Sequence, residues 1–189
     1  MLSAMLGSRM AHGFETYRVF ISAPGDLSRD RQACYDIISQ INESIAMPAK
    51  VLMVSIGLRD NEQIASHREI TSDNVRWSSY FIQVFQDDWG SRDLFRKLFL
   101  LALECRDDPG APMRDVVVCL KDAPGERNAD ILEFRKELEE RTDVRVIRYA
   151  TVERMREELE KVCGSWALAA IAKRRGAGAG GGGAESVQD

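Results

Sequence analysis

The stretch "YRVFISAPGDLSRDRQACYDII", residues 17–38, passes from an apolar, β-branched run through a Pro-Gly-Asp turn into a segment of helical spacing. Strand, turn and helix in that order make the first half of a βαβ unit, and the rest of the chain repeats the pattern. Four more strand-like runs follow: "KVLMVSIG" at 50–57, "SYFIQVF" at 79–85, "DVVVCLK" at 115–121 and "VRVIRY" at 144–149. They are continuously apolar rather than alternating, as strands covered on both faces must be. The reading is an α/β domain with a doubly wound parallel sheet. For five strands the commonest order is 2-1-3-4-5, with helices on both faces.

The intervening segments carry the matching helical stripes. After the first strand, Leu27, Cys34, Ile37, Ile38, Ile41 and Ile45 recur on one side at three- and four-residue steps. Arg29, Asp30, Arg31 and Gln32 are assigned to the opposite, solvated side. A short polar helix is expected over 66–76, and a nearly all-round apolar one over 91–106. Two amphipathic helices, over 129–141 and 151–172, complete the set.

With 189 residues, 44% of them hydrophobic, the chain can bury one good core. The expected organisation is a loose leader over 1–15, a single domain over 16–172 and a Gly-rich flexible tail over 173–189. A formal charge of −4 leaves no cation excess for gripping a phosphate backbone, which argues against nucleic-acid binding. The apolar runs are far shorter than the ~20 residues of a bilayer crossing, so a soluble protein without a membrane partner is expected. Cys34, Cys105, Cys119 and Cys163 are widely spaced and match no zinc pattern, so they read as reduced thiols in a cytoplasm, with no metal and no cofactor. Gly176, Gly178 and Gly181 spell GxGxxG, but no strand leads into them and no helix is expected to follow, so the dinucleotide fingerprint is rejected.

In such a sheet ligands bind beyond the carboxyl ends of the strands, where the winding reverses. For the order 2-1-3-4-5 that point lies between the first and third strands, whose tips run into "SAPGD" and "QDDWGS". Ser22, Gly25 and Asp26 on one side, with Trp89, Gly90, Ser91 and Arg92 on the other, are the candidate ligand-binding residues. Asp26 has two roles open to it, N-cap of a helix starting at Leu27 or acceptor for a ligand hydroxyl; as a carboxylate it makes a poor phosphate cradle. Ser91 can cap the next helix, or its N-terminal N–H groups can hold an anion beside Arg92. Trp89 can close over the core or present its ring to a flat ligand. Among the carboxylates Asp87, Asp88 and Asp93, the catalytic candidates are Asp93 and Asp88. Glu104, eleven residues along the helix from Asp93, is about 16 Å away along the axis, too far to share a site with it.

"VFISAPGDLSRDR", together with "ITSDNVRWSSYFIQVFQDDWG", resembles the TIR-like domain of unknown function recognised by an opening motif of the type VFISS-x-x-D-L-x-x-E-R, which often precedes STAND-class signalling NTPases. Val19, Phe20, Ile21, Ser22, Asp26, Leu27 and Arg31 match that motif, and Asp30 stands where glutamate is usual. The resemblance covers roughly residues 17–165 and implies a flavodoxin-like sheet related to Toll/interleukin-receptor domains and nucleoside deoxyribosyltransferases. It implies a non-enzymatic signalling or protein-interaction module, in bacterial signalling or defence, with a homo-oligomer or signalling protein as partner and a nucleotide-type or NAD-like ligand at the cleft. The alternative is an enzyme cleaving the N-glycosidic bond of NAD or nucleosides. For that activity the resemblance places a glutamate in the first turn after the third strand, where this chain has only Asp93.

Overall fold

The computed structural model of the protein describes residues 13–57, 68–89 and 93–179. One sheet organises them, with β1 (Glu15–Ser22), β2 (Val51–Gly57), β3 (Tyr80–Phe85), β4 (Asp115–Lys121) and β5 (Arg145–Tyr149). All four pairings are parallel and the order is β2-β1-β3-β4-β5. Between and after the strands lie α1 (Ser28–Ile41), α2 (Arg68–Arg76), α3 (Leu94–Asp107), α4 (Ala129–Glu140) and α5 (Val152–Ala179). This is a flavodoxin-like α/β architecture. The sheet is wound outward from β1, first to β2 and then back across to β3, which makes the tips of β1 and β3 neighbours.

Side-chain alternation divides each strand between two cores. On one face Tyr17, Val19 and Ile21 of β1 and Tyr80, Ile82 and Val84 of β3 pack under α1 and α5. On the other, Phe20, Phe81, Phe85, Val116, Val118 and Leu120 pack under α3 and α4. Stacked pairs fasten both layers: Tyr80 on Trp166 of α5 at 4.4 Å, and Phe20 on Phe81 at 5.6 Å. The Trp166 indole also donates to Asp115 Oδ2 at 2.8 Å, so the start of β4 holds α5 in place. All four cysteines are free and buried, and burial pushes the Cys34 thiol up to about 12. Among the described residues no helix is long and apolar enough to cross a membrane.

Two expectations are corrected. Asp30 does not face solvent: it is 2% exposed, because Lys121 and Tyr149, the last residues of β4 and β5, reach its carboxylate from beneath. The last helix does not stop at 172 but continues to Ala179, through Gly176 and Gly178. Arg174 explains part of this, donating to the carbonyls of Gly13 at 3.2 Å and Lys50 at 2.7 Å and so tying the final turns to the residues that lead into β1 and β2. The described part of the Gly-x-Gly pattern is thus helix, with no strand entering it. The first twelve residues, 58–67 and 180–189 lie outside the described residues.

Candidate functional site

The tips of β1 and β3 are joined in register, Ser22 opposite Gln83. By alternation both side chains share the face that carries Phe20, Phe81 and Phe85, beyond which the apolar pattern breaks. Gln83 is 1% exposed and Ser22 is fully buried. The Gln83 amide donates to the carbonyls of Val84 at 2.9 Å and Ser22 at 3.3 Å. Two carbonyls at one end of the amide fix its orientation, because only its NH2 group can donate to them. Its Oε1 and the Ser22 hydroxyl are then left without a hydrogen-bond partner among the described residues. Each such buried, unsatisfied group costs about 1–3 kcal/mol, an expense a folded protein tolerates at few positions.

The turns beyond these tips supply charge. After Ser22, Ala23 and Pro24 lead into a 3-10 turn, Gly25–Leu27, closed by a Leu27 N–H bond to the Pro24 carbonyl at 3.1 Å. Leu27 is buried and pins the turn to the core, leaving Gly25 and Asp26 exposed. Asp26 caps nothing: it lies inside the 3-10 turn, α1 begins at Ser28 with Leu27 at its N-cap, and neither the 3-10 turn nor α1 has a side-chain cap. After Phe85 comes Asp87, half-buried, whose carboxyl is raised by burial and then by the negative charges of Asp26, Glu126 and Asp88, with Arg135 opposing. Asp26 and Asp87 are therefore electrostatic neighbours, one from each turn. Arg135 is engaged elsewhere, donating to the carbonyls of Gln86 at 2.6 Å and Lys121 at 2.9 Å and so clamping the ends of β3 and β4 to α4.

The remaining candidates divide. Trp89 is 6% exposed, stacked on Phe85 at 4.1 Å and edge-on to Phe134 at 4.4 Å, so its indole closes the core and offers no face to a flat ligand. Asp93 is exposed at the N-cap of α3 in a left-handed conformation, φ 54, without a capping bond; aspartate is among the few residues that accept that backbone. Asp88 is exposed as well. Neither catalytic candidate is buried. Gly90, Ser91 and Arg92 lie outside the described residues, and with them the anion site expected at the start of α3. Of the expected set, the fold brings together Ser22, Gly25 and Asp26, and adds Gln83 and Asp87. Gln83 was overlooked as a candidate although its signal is plain in "YFIQVF", the one amide inside an apolar strand.

On the opposite face, the same sheet edge carries a second buried polar cluster. Asp30, in the first turn of α1, accepts from the Tyr149 hydroxyl at 2.7 Å and pairs with the Lys121 ammonium at 3.1 Å. Burial, with the Asp30 carboxylate next in importance, raises the Tyr149 phenol far above its ordinary value, so it remains a hydrogen-bond donor. Both Asp30 oxygens are engaged, and the cluster anchors α1 to β4 and β5. Among the described residues no group of three or more His, Cys, Asp or Glu is placed to hold a metal ion. No family model matches the chain, and no curated protein matches it in sequence.

Proposed function

We propose that this domain is a TIR-like signalling or protein-interaction module, working in the cytoplasm, that holds a small nucleotide-type ligand at the tips of β1 and β3 without turning it over. One observation carries the ligand: the Ser22 hydroxyl and Gln83 Oε1, buried side by side at the topological switch point, have no hydrogen-bond partner among the described residues. A ligand donor reaching them would recover the hydrogen bonds that folding leaves unmade. The absence of turnover rests on the carboxylates. Cleaving an N-glycosidic bond needs a carboxylate directed at the sugar as positive charge develops on it, and Asp88 and Asp93 are exposed. The glycosidase reading keeps one supporting feature, the partly buried Asp87 with its raised carboxyl.

Incubation with NAD and with nucleosides, followed by chromatography for released base, tests turnover: the expected result is none. Under the glycosidase reading base is released and the release is lost in Asp87→Asn. Thermal shift with the nucleosides tests binding, which is expected for the parent protein and weakened in Ser22→Ala and Gln83→Met. Sedimentation across a concentration series tests self-association, the partner function that the TIR-like resemblance implies.

A further inference from the structure

Among the described residues, what the cleft leaves open is almost entirely acceptor. The Gln83 amide hydrogens are engaged by the Val84 and Ser22 carbonyls, so what it leaves open is Oε1, which can only accept. The Asp26 and Asp87 carboxylates accept when ionised, and the Ser22 hydroxyl can accept or donate. Arg135, the cation that acts on Asp87, points two of its donors at the Gln86 and Lys121 carbonyls. A phosphate brought to these turns meets carboxylates from both, with Glu126 and Asp88 adding to the same field. A donor-rich group meets acceptors in both turns and in the buried pair.

We infer that the cleft selects its ligand by charge, taking a neutral or cationic, donor-rich molecule such as an amine-bearing nucleoside and rejecting its phosphorylated counterpart. This rests on the reading that a ligand occupies the cleft, and it narrows the nucleotide-type class to its unphosphorylated, nucleoside-like members. Attraction or repulsion between unit charges near a protein surface is large enough to change affinity by roughly tenfold or more. Exposed charges of this kind are screened by salt, so the discrimination weakens as ionic strength rises. It also weakens as pH falls, because Asp87 takes up its proton at higher pH than an ordinary carboxyl; the other charged groups that act on it are Asp26, Glu126, Asp88 and Arg135.

The test is a charge series on one scaffold: 5′-amino-5′-deoxyadenosine, adenosine and adenosine 5′-monophosphate, titrated at low ionic strength against the full chain. Affinity should fall in that order, with roughly a tenfold gap between the amine and the monophosphate. The gap should shrink on adding salt, on lowering pH, and in the Asp26→Asn/Asp87→Asn double variant, where it should approach one. The salt and pH arms need no variant and hold whether or not the double variant folds. Monophosphate binding as tight as the amine, or a gap unchanged by salt, overturns the charge rule and leaves the cleft standing. Binding of none of the three overturns both.

Discussion

Two buried polar clusters occupy the same edge of the sheet, on opposite faces, and differ in one respect. Under α1, Asp30 has both oxygens engaged, by Tyr149 and Lys121. Under the turns after β1 and β3, Ser22 Oγ and Gln83 Oε1 have no partner among the described residues. The first arrangement closes on itself and needs nothing from outside; it joins three elements and fixes where α1 begins. The second is incomplete, and its position at the switch point is where a doubly wound sheet receives ligands. On the proposed reading, buried polar groups thus serve opposite ends here: a closed cluster is scaffold, and an open pair at the switch point is a site.

The sharpest way to break this comparison is to open the closed cluster. Asp30→Ala leaves the Lys121 charge and the Tyr149 hydroxyl facing a cavity, and removing one partner of a buried pair costs about 3–5 kcal/mol. The lower end is expected because the Lys121 side chain is 25% exposed and can turn to water. Urea denaturation of this variant should show a large loss; a loss under 1 kcal/mol would mean that the cluster is not structural. Next is Gly57→Ala, at the end of β2. A Cβ there meets the Tyr35 hydroxyl and, at 2.6 Å, the Ile21 carbonyl oxygen of β1, so overpacking should cost about 2 kcal/mol. Tyr149→Phe removes a single bond to Asp30 and keeps the packing, for an expected loss of about 1.5 kcal/mol in the same assay. Were that substitution neutral, the Asp30 side of the comparison would rest on Lys121 alone.

The architecture was legible because five continuous β-branched runs separated by helical stripes admit few arrangements, and the switch point followed from the strand order. Individual side chains were harder. Asp30 was assigned to solvent by its chemistry, yet its spacing told otherwise: it is three residues after Leu27 and four before Cys34, on the buried stripe itself. Its partners Lys121 and Tyr149 are 91 and 119 residues away, and no local pattern announces them. Asp26 read as a helix cap because Asp-Leu-Ser precedes a helical run, but a 3-10 turn intervenes and moves the helix start past it. Trp89 was ambiguous until its neighbours were known, since Phe85 is four residues away while Phe134 comes from α4. Gly176 and Gly178 suggested an end to order, whereas Arg174 carries the helix onward through contacts made more than a hundred residues distant.

The unfolding free energy of Ser22→Ala tests the central claim most directly. A buried hydroxyl without a partner adds nothing to the fold, so its removal should leave stability unchanged or raise it by as much as its burial costs, about 1–3 kcal/mol. A loss of 1 kcal/mol or more would show that the hydroxyl is engaged within the protein, and the open end of the β1/β3 pair would close.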